Sequence, residues 1–277
     1  ADAADGPPAG GLKGGGEVSL GAFSRRRGFR RRPPTGAGAE ADLPVVLQSS
    51  LELLTLPGQE QELHFYDSSN LAALHAALQG SRVFVHAALD GDAAAQRRFA
   101  VRDVGTECEV LGVVASTKSN TRGESSQSVV VRVRGVRQRR VCAVLQMEPH
   151  VAARSEVIHG DGAGDGADTK ALDERFRACW ALLQDLGLRP EGAGGAALPD
   201  AEHDGGAVRA LAALAAVGVP AERRAEALQI CDPAELVGVA TGHIEEEERR
   251  LRALRTIRDA GGDCSAPDAE AGPPPGA

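Results

Sequence analysis

The sequence predicts an α+β protein, with a strand-rich first half and a helical second half. Three observations predict it. Between residues 43 and 158, short apolar runs are punctuated by Pro-Gly and Gly-Thr pairs, which is how strands and tight turns alternate. Between residues 169 and 260, apolar residues recur at three- and four-residue spacing, the signature of helices. A stretch rich in Gly and Asp, residues 159–168, separates the two and reads as a linker.

In the first half, residues 44–47 and 51–56 read as strands. Pro57-Gly58 then forms a turn, because Pro lacks a backbone donor and Gly tolerates positive φ. The chain re-enters a strand at residues 63–66. Asp67, Ser68 or Ser69 offers an oxygen to the free N–H groups of a first helical turn, and Leu71, Leu74, His75 and Leu78 follow at helical spacing up to Gly80. Residues 82–89 are almost continuously apolar, as in a strand buried on both faces. Residues 99–103 and 108–116 read as a strand pair about Gly105-Thr106, and residues 119–128 as a polar hairpin tip. Residues 129–134 begin as valines and alternate valine with arginine toward the end; Gly135 marks a bulge or turn. Residues 140–147 and 151–158 complete the set. Many short strands and one early helix fit a small, mostly antiparallel barrel or sandwich.

The second half predicts helices over residues 171–186, 208–217, 221–229 and 233–260, with residues 187–206 as a flexible insertion. The last helix has Asp232 at its N-cap, Pro233 at its first position and Glu235 at the third, close to a capping box. Its apolar stripe is Val237, Ala240, Ile244, Leu251 and Leu254. Glu245–Arg249, Glu246–Arg250 and Glu248–Arg252 are spaced for i,i+4 pairs, each worth a few tenths of a kcal/mol.

The ends read differently. Residues 1–42 are Gly, Pro, Ala and Arg with almost no apolar periodicity, and residues 261–277 form a Pro-Gly tail; neither buries enough surface to offset its ordering entropy. Arg25 to Arg27 and Arg30 to Arg32 fit a transit-peptide remnant, an import or nucleic-acid tail, or simple disorder. The 277 residues carry a formal charge of −8, a poor electrostatic match for nucleic acid as a whole. The five cysteines form no C-x-x-C pair, which argues against a disulfide framework or zinc site and suits an intracellular reducing compartment, cytosol or organelle. No apolar run reaches the roughly 18 residues of a membrane span.

With the order strand, Pro-Gly, strand, helix, strand laid out, the chain resembles the N-terminal, substrate-binding domain of Lon proteases. The motifs are Leu43-Pro44, Leu56-Pro57-Gly58, the strand at 63–66 and helix at 71–78, Val104-Gly105-Thr106, and Gly135 followed by Arg137, Gln138 and Arg139. The helical tail, with Asp232-Pro233-Ala234-Glu235-Leu236, is similar as well. His64 departs from the family's pattern, which has Pro there. The resemblance implies a six-stranded, PUA-like pseudo-barrel at 43–158 and a helical subdomain at 169–260 with a long C-terminal helix.

The chemistry of a full Lon enzyme is not legible here. The sequence has no G-x-x-x-x-G-K-[ST] loop to cradle phosphates and no Ser-Lys protease domain. Ser116 and Lys118 lack a supporting motif, and the seven histidines never pair as H-x-x-x-H. No catalytic residue, cofactor or metal is expected. What remains is recognition: a non-catalytic module for unfolded or degradation-bound polypeptides, or for a protease or ligase complex, with an apolar groove beside Leu56, Pro57 and Phe65. The alternative is an RNA-binding module that uses Arg132, Arg134, Arg137, Arg139 and Arg140 with the Arg-rich tail.

Overall fold

The computed structural model describes residues 36–89, 101–121, 124–159, 169–188 and 205–261, all within one compact unit. The Arg-rich tail, the 159–168 linker beyond His159, most of the 187–206 insertion and the C-terminal tail lie outside the described residues. Six strands, β1 (Glu40–Gln48), β2 (Glu60–Phe65), β3 (Val83–Ala88), β4 (Val104–Thr121), β5 (Glu124–Gln146) and β6 (Ala152–Val157), run in the order β2-β5-β4-β3-β1-β6. β6 also pairs β5, so five strands close a ring and β2 extends it outward along the first half of β5. All pairings are antiparallel except β1 with β3.

Several expected strands are segments of longer ones. Residues 129–134 and 140–147 belong to a single β5, whose irregularity at Gly135 is a bulge: Cys108 pairs Gly135 while Glu107 pairs Arg137, leaving Val136 as the extra residue. Residues 51–56 are not a strand. Leu51–Leu53 is a 3-10 turn, and the backbone after it is held by side chains. Thr55 N–H donates to His86 Nδ1 at 3.2 Å, and Leu56 N–H to Gln59 Oε1 at 3.1 Å. Val101 makes only an isolated bridge to Leu89.

Pro57 and Gly58 occupy the corners of a turn closed by Gln59 N–H to the Leu56 carbonyl at 3.1 Å, with Gly58 at φ 80°; that positive φ at the third residue is what type II turns require. The turn is tied into the β5 bulge by Gly58 N–H to the Gly135 carbonyl (2.9 Å) and Gly135 N–H to the Gln59 carbonyl (2.8 Å). Two glycines far apart in sequence thus serve one joint.

Helix α1 (Ser68–Gln79) is capped by Asp67, whose carboxylate accepts from Ser69 and Asn70 N–H. Its Asn70 side chain exchanges two hydrogen bonds with the backbone of Leu47, fastening α1 to β1. Arg82, rather than Gly80, takes the left-handed conformation before β3, at φ 64°.

The helical part comprises α2 (Lys170–Asp185), α3 (Gly206–Ala216), α4 (Ala221–Ala227) and α5 (Pro233–Gly261). Asp232 caps α5 by accepting from Glu235 N–H at 2.7 Å. Val237, Ala240, Ile244 and Leu251 are buried as their spacing predicts, whereas Leu254 is 38% exposed. The acids of α5 also choose other partners than i,i+4 spacing suggests. Glu246 binds Arg223 of α4, Glu245 lies 3.7 Å from Arg175 of α2, and only Glu248–Arg252 keeps its expected pair, at 2.5 Å.

Ring and helices share a core. Leu54, Leu56, Ala88 and Val104 from the strand half cluster with Leu172, Leu211, Leu214, Leu228 and Leu236. Two glutamines lock the junction. Gln229 accepts from Val104 N–H (3.1 Å) and donates to its carbonyl (3.0 Å), as a strand residue would; Gln138 donates to the carbonyls of Leu228 and Ile230. The start of β4 is thus satisfied by a side chain from the turn between α4 and α5, and the backbone of that turn by a side chain of β5.

Candidate protein-binding surface

The three residues proposed from sequence to line a groove lie inside. Leu56 is 1% exposed within the shared core, Pro57 is buried beside it, and Phe65 is 3% exposed with its ring edge-on to Phe84, 6.2 Å away. They hold the Pro-Gly joint and the β2–β3 packing together, and their side chains present no open groove.

Beneath them is a polar chain. Thr55 Oγ1 accepts from Gln61 at 2.5 Å and sits 3.0 Å from His86 Nδ1; Gln59 donates to Gln61 in turn. Since Nδ1 accepts the Thr55 N–H, the ring proton belongs on Nε2. Burial pushes His86 down from 6.5 to about 4. The unfolded chain therefore takes up this proton near pH 6.5 and the folded one only near 4, so acid favours the unfolded state between those values. Stability is lost as pH falls through that window, by up to about 3 kcal/mol. An NMR titration should show the His86 ring still neutral at pH 5, and a His86→Gln variant should lose this part of the pH dependence. A ring already protonated at pH 6 would contradict the burial.

The arginines grouped by the RNA reading are also placed differently. Past the bulge, Arg137 and Arg139 turn into the interior, 2% and 0% exposed. There Glu107, directly across on β4, lies 3.3 Å from Arg137 and 2.5 Å from Arg139. Arg139 donates further to the Ser155 carbonyl at 3.1 Å. Outside, Arg134 pairs with Glu109 and Arg140 with Glu156, each at 2.7 Å. The five side chains form no common basic face.

Apart from Leu53 on the 3-10 turn, the exposed apolar side chains of the strand half lie elsewhere. β4 runs beyond its last pairing with β3, Val83 with Glu109, and continues beside β5 alone. Two bulges fall just there. Leu111 and Val114 are extra residues with no opposite number on β5, while Gly112 and Val113 pair with Arg132 and Val131. Bulges re-aim side chains and end pairing, and Leu111, Val113 and Val114 are 38–48% exposed. Across the sheet, Val130 stands between Ala115 and His64. His64 hydrogen-bonds Ser128 and meets Tyr66 edge-on at 5.9 Å; Tyr66 is 75% exposed. The result is an aliphatic strip on β4 with an aromatic corner at the end of β2. A second exposed group, Val144, Leu145 and Met147, lies at the other end of β5. The signal for the strip was in the sequence: Leu111-Gly112-Val113-Val114 is apolar without alternation and carries a glycine, a mark of a bulged strand.

Among the described residues no group of His, Cys, Asp and Glu is arranged to hold a metal ion, and no helix is long and apolar enough to cross a membrane.

A solved structure shares this architecture. The N-terminal domain of a Mycobacterium avium complex Lon protease superposes with a TM-score of 0.50 at 18% identity, over 74% of this chain and 98% of that one. A Lon N-terminal domain protein from Xanthomonas campestris matches over 72% of this chain and 95% of its own, at 16% identity and a TM-score of 0.44. No family model matches the sequence, and no curated protein does. The molecule is thus an α+β pseudo-barrel with a helical subdomain. Its fold is that of the Lon protease N-terminal domain, as the sequence motifs imply.

Proposed function

We propose that this protein is a non-catalytic polypeptide-binding module that holds unfolded or degradation-bound chains, on its own or for a protease or ligase complex. The fold supports a recognition role by analogy, and such an analogy needs a site. The observation that carries the reading is the half-exposed strip Leu111, Val113 and Val114 at the point where β4 leaves the ring. Aliphatic side chains that a folded chain leaves open beside a hydrogen-bonded sheet mark an interaction surface.

The test is a binding titration with reduced, carboxymethylated lactalbumin, a permanently unfolded protein. Val113→Lys with Val114→Lys should weaken binding about tenfold or more, because two desolvated aliphatic contacts become charges. The same change at Leu145 should leave affinity within about twofold. Equal losses at both places would assign binding to another surface, and no binding by the unaltered protein would remove the reading.

A further inference from the structure

We propose that the flank of β4 beyond Leu111 takes an extended polypeptide segment as an added β-strand. This rests on the polypeptide-binding reading and says how the partner is held.

Up to Leu111 the flank is satisfied from within. Val110 N–H donates to the Arg82 carbonyl at 2.8 Å, and the Arg82 guanidinium donates to the carbonyls of Val110 (3.1 Å) and Leu111 (3.4 Å). Arg82 thereby closes the β3 side of the ladder, and its left-handed backbone turns the chain at that point. From Gly112 onward β4 keeps β5 on one side, and among the described residues no strand covers the other. Backbone donors and acceptors along such a flank match any extended backbone, irrespective of sequence. Leu111, Val113 and Val114 lie along the same stretch, where they supply apolar contact to an added strand.

The area selects the occupant. Three half-exposed aliphatic side chains fall far short of the roughly 800 Å² that each partner buries in a stable interface between folded proteins. Bulges at Leu111 and Val114 also interrupt the long regular edge that two copies of this chain would need to pair. A short peptide needs neither. It gains affinity from a few main-chain hydrogen bonds, with apolar side chains lodged on the valines.

The experiment uses the intact protein and the tightest-binding peptide of about ten residues from lactalbumin. That peptide is remade in two backbone N-methylated series, offset from each other by one residue. In a strand, alternate N–H groups face opposite sides, so only one series blocks the bonds to β4. That series should lose roughly threefold to tenfold per blocked bond, while the other keeps its affinity within about twofold. Equal affinities in the two series, with the parent peptide still bound, would overturn strand addition and leave polypeptide binding standing. A parent peptide that does not bind would overturn both. Sedimentation showing a dimer that Val114→Lys abolishes would give the flank to a second copy and also overturn the proposal.

Discussion

Glu107→Gln is expected to cost about 3–5 kcal/mol of folding stability, the range found when one partner of a buried ion pair is removed. Glu107 is 1% exposed and is the carboxylate shared by Arg137 and Arg139, which are equally enclosed. Glutamine keeps an oxygen but removes the charge, so two interior guanidinium groups lose the carboxylate they share, while Arg139 keeps the Ser155 carbonyl. For a chain of this size the loss corresponds to a fall in Tm of roughly 6–20 °C, read by thermal or urea denaturation. A loss under about 1 kcal/mol would mean that water reaches the triad.

Gly135→Ala should be the next most damaging change, at about 3 kcal/mol. A Cβ at position 135 would stand 2.1 Å from the Leu56 carbonyl oxygen and 2.7 Å from its carbon. Both atoms are backbone, so no rotamer can relieve the overlap. To make room, the Pro57-Gly58 turn must leave the bulge, and both hydrogen bonds joining Gly58, Gln59 and Gly135 go with it. Gly112 provides the control. A Cβ there meets nothing within 4 Å, so Gly112→Ala should change stability by less than about 0.5 kcal/mol. Similar effects at the two glycines would contradict the joint.

What could be read from the sequence followed local chemistry. The Asp67 and Asp232 caps, the Pro57-Gly58 turn and the buried β3 each depend on neighbours within a few residues. What could not be read depended on partners far along the chain. Period-two alternation puts Arg132 and Arg134 outside and Arg137 and Arg139 inside with Val131 and Val133, but the carboxylate that makes those inner positions tenable, Glu107, lies 30 and 32 residues earlier. The run 51–56 resembles a strand by composition, yet its hydrogen bonds go to the side chains of His86 and Gln59. The family resemblance suggests an apolar groove beside Leu56 and Phe65, though each residue read singly fits the barrel core. The motif instead marks a buried joint, and the open aliphatic residues belong to β4, where bulges expose what a regular strand would cover.

Site-specific photocrosslinking shows whether extended polypeptide lies on the β4 strip. A benzophenone side chain is placed at Val114, at Leu145 or at Arg252, and the intact protein is irradiated with unfolded lactalbumin. Adducts are expected from position 114, competed away by excess peptide, with background yields from the other two. Adducts from Leu145 or Arg252 with none from Val114 would contradict that placement.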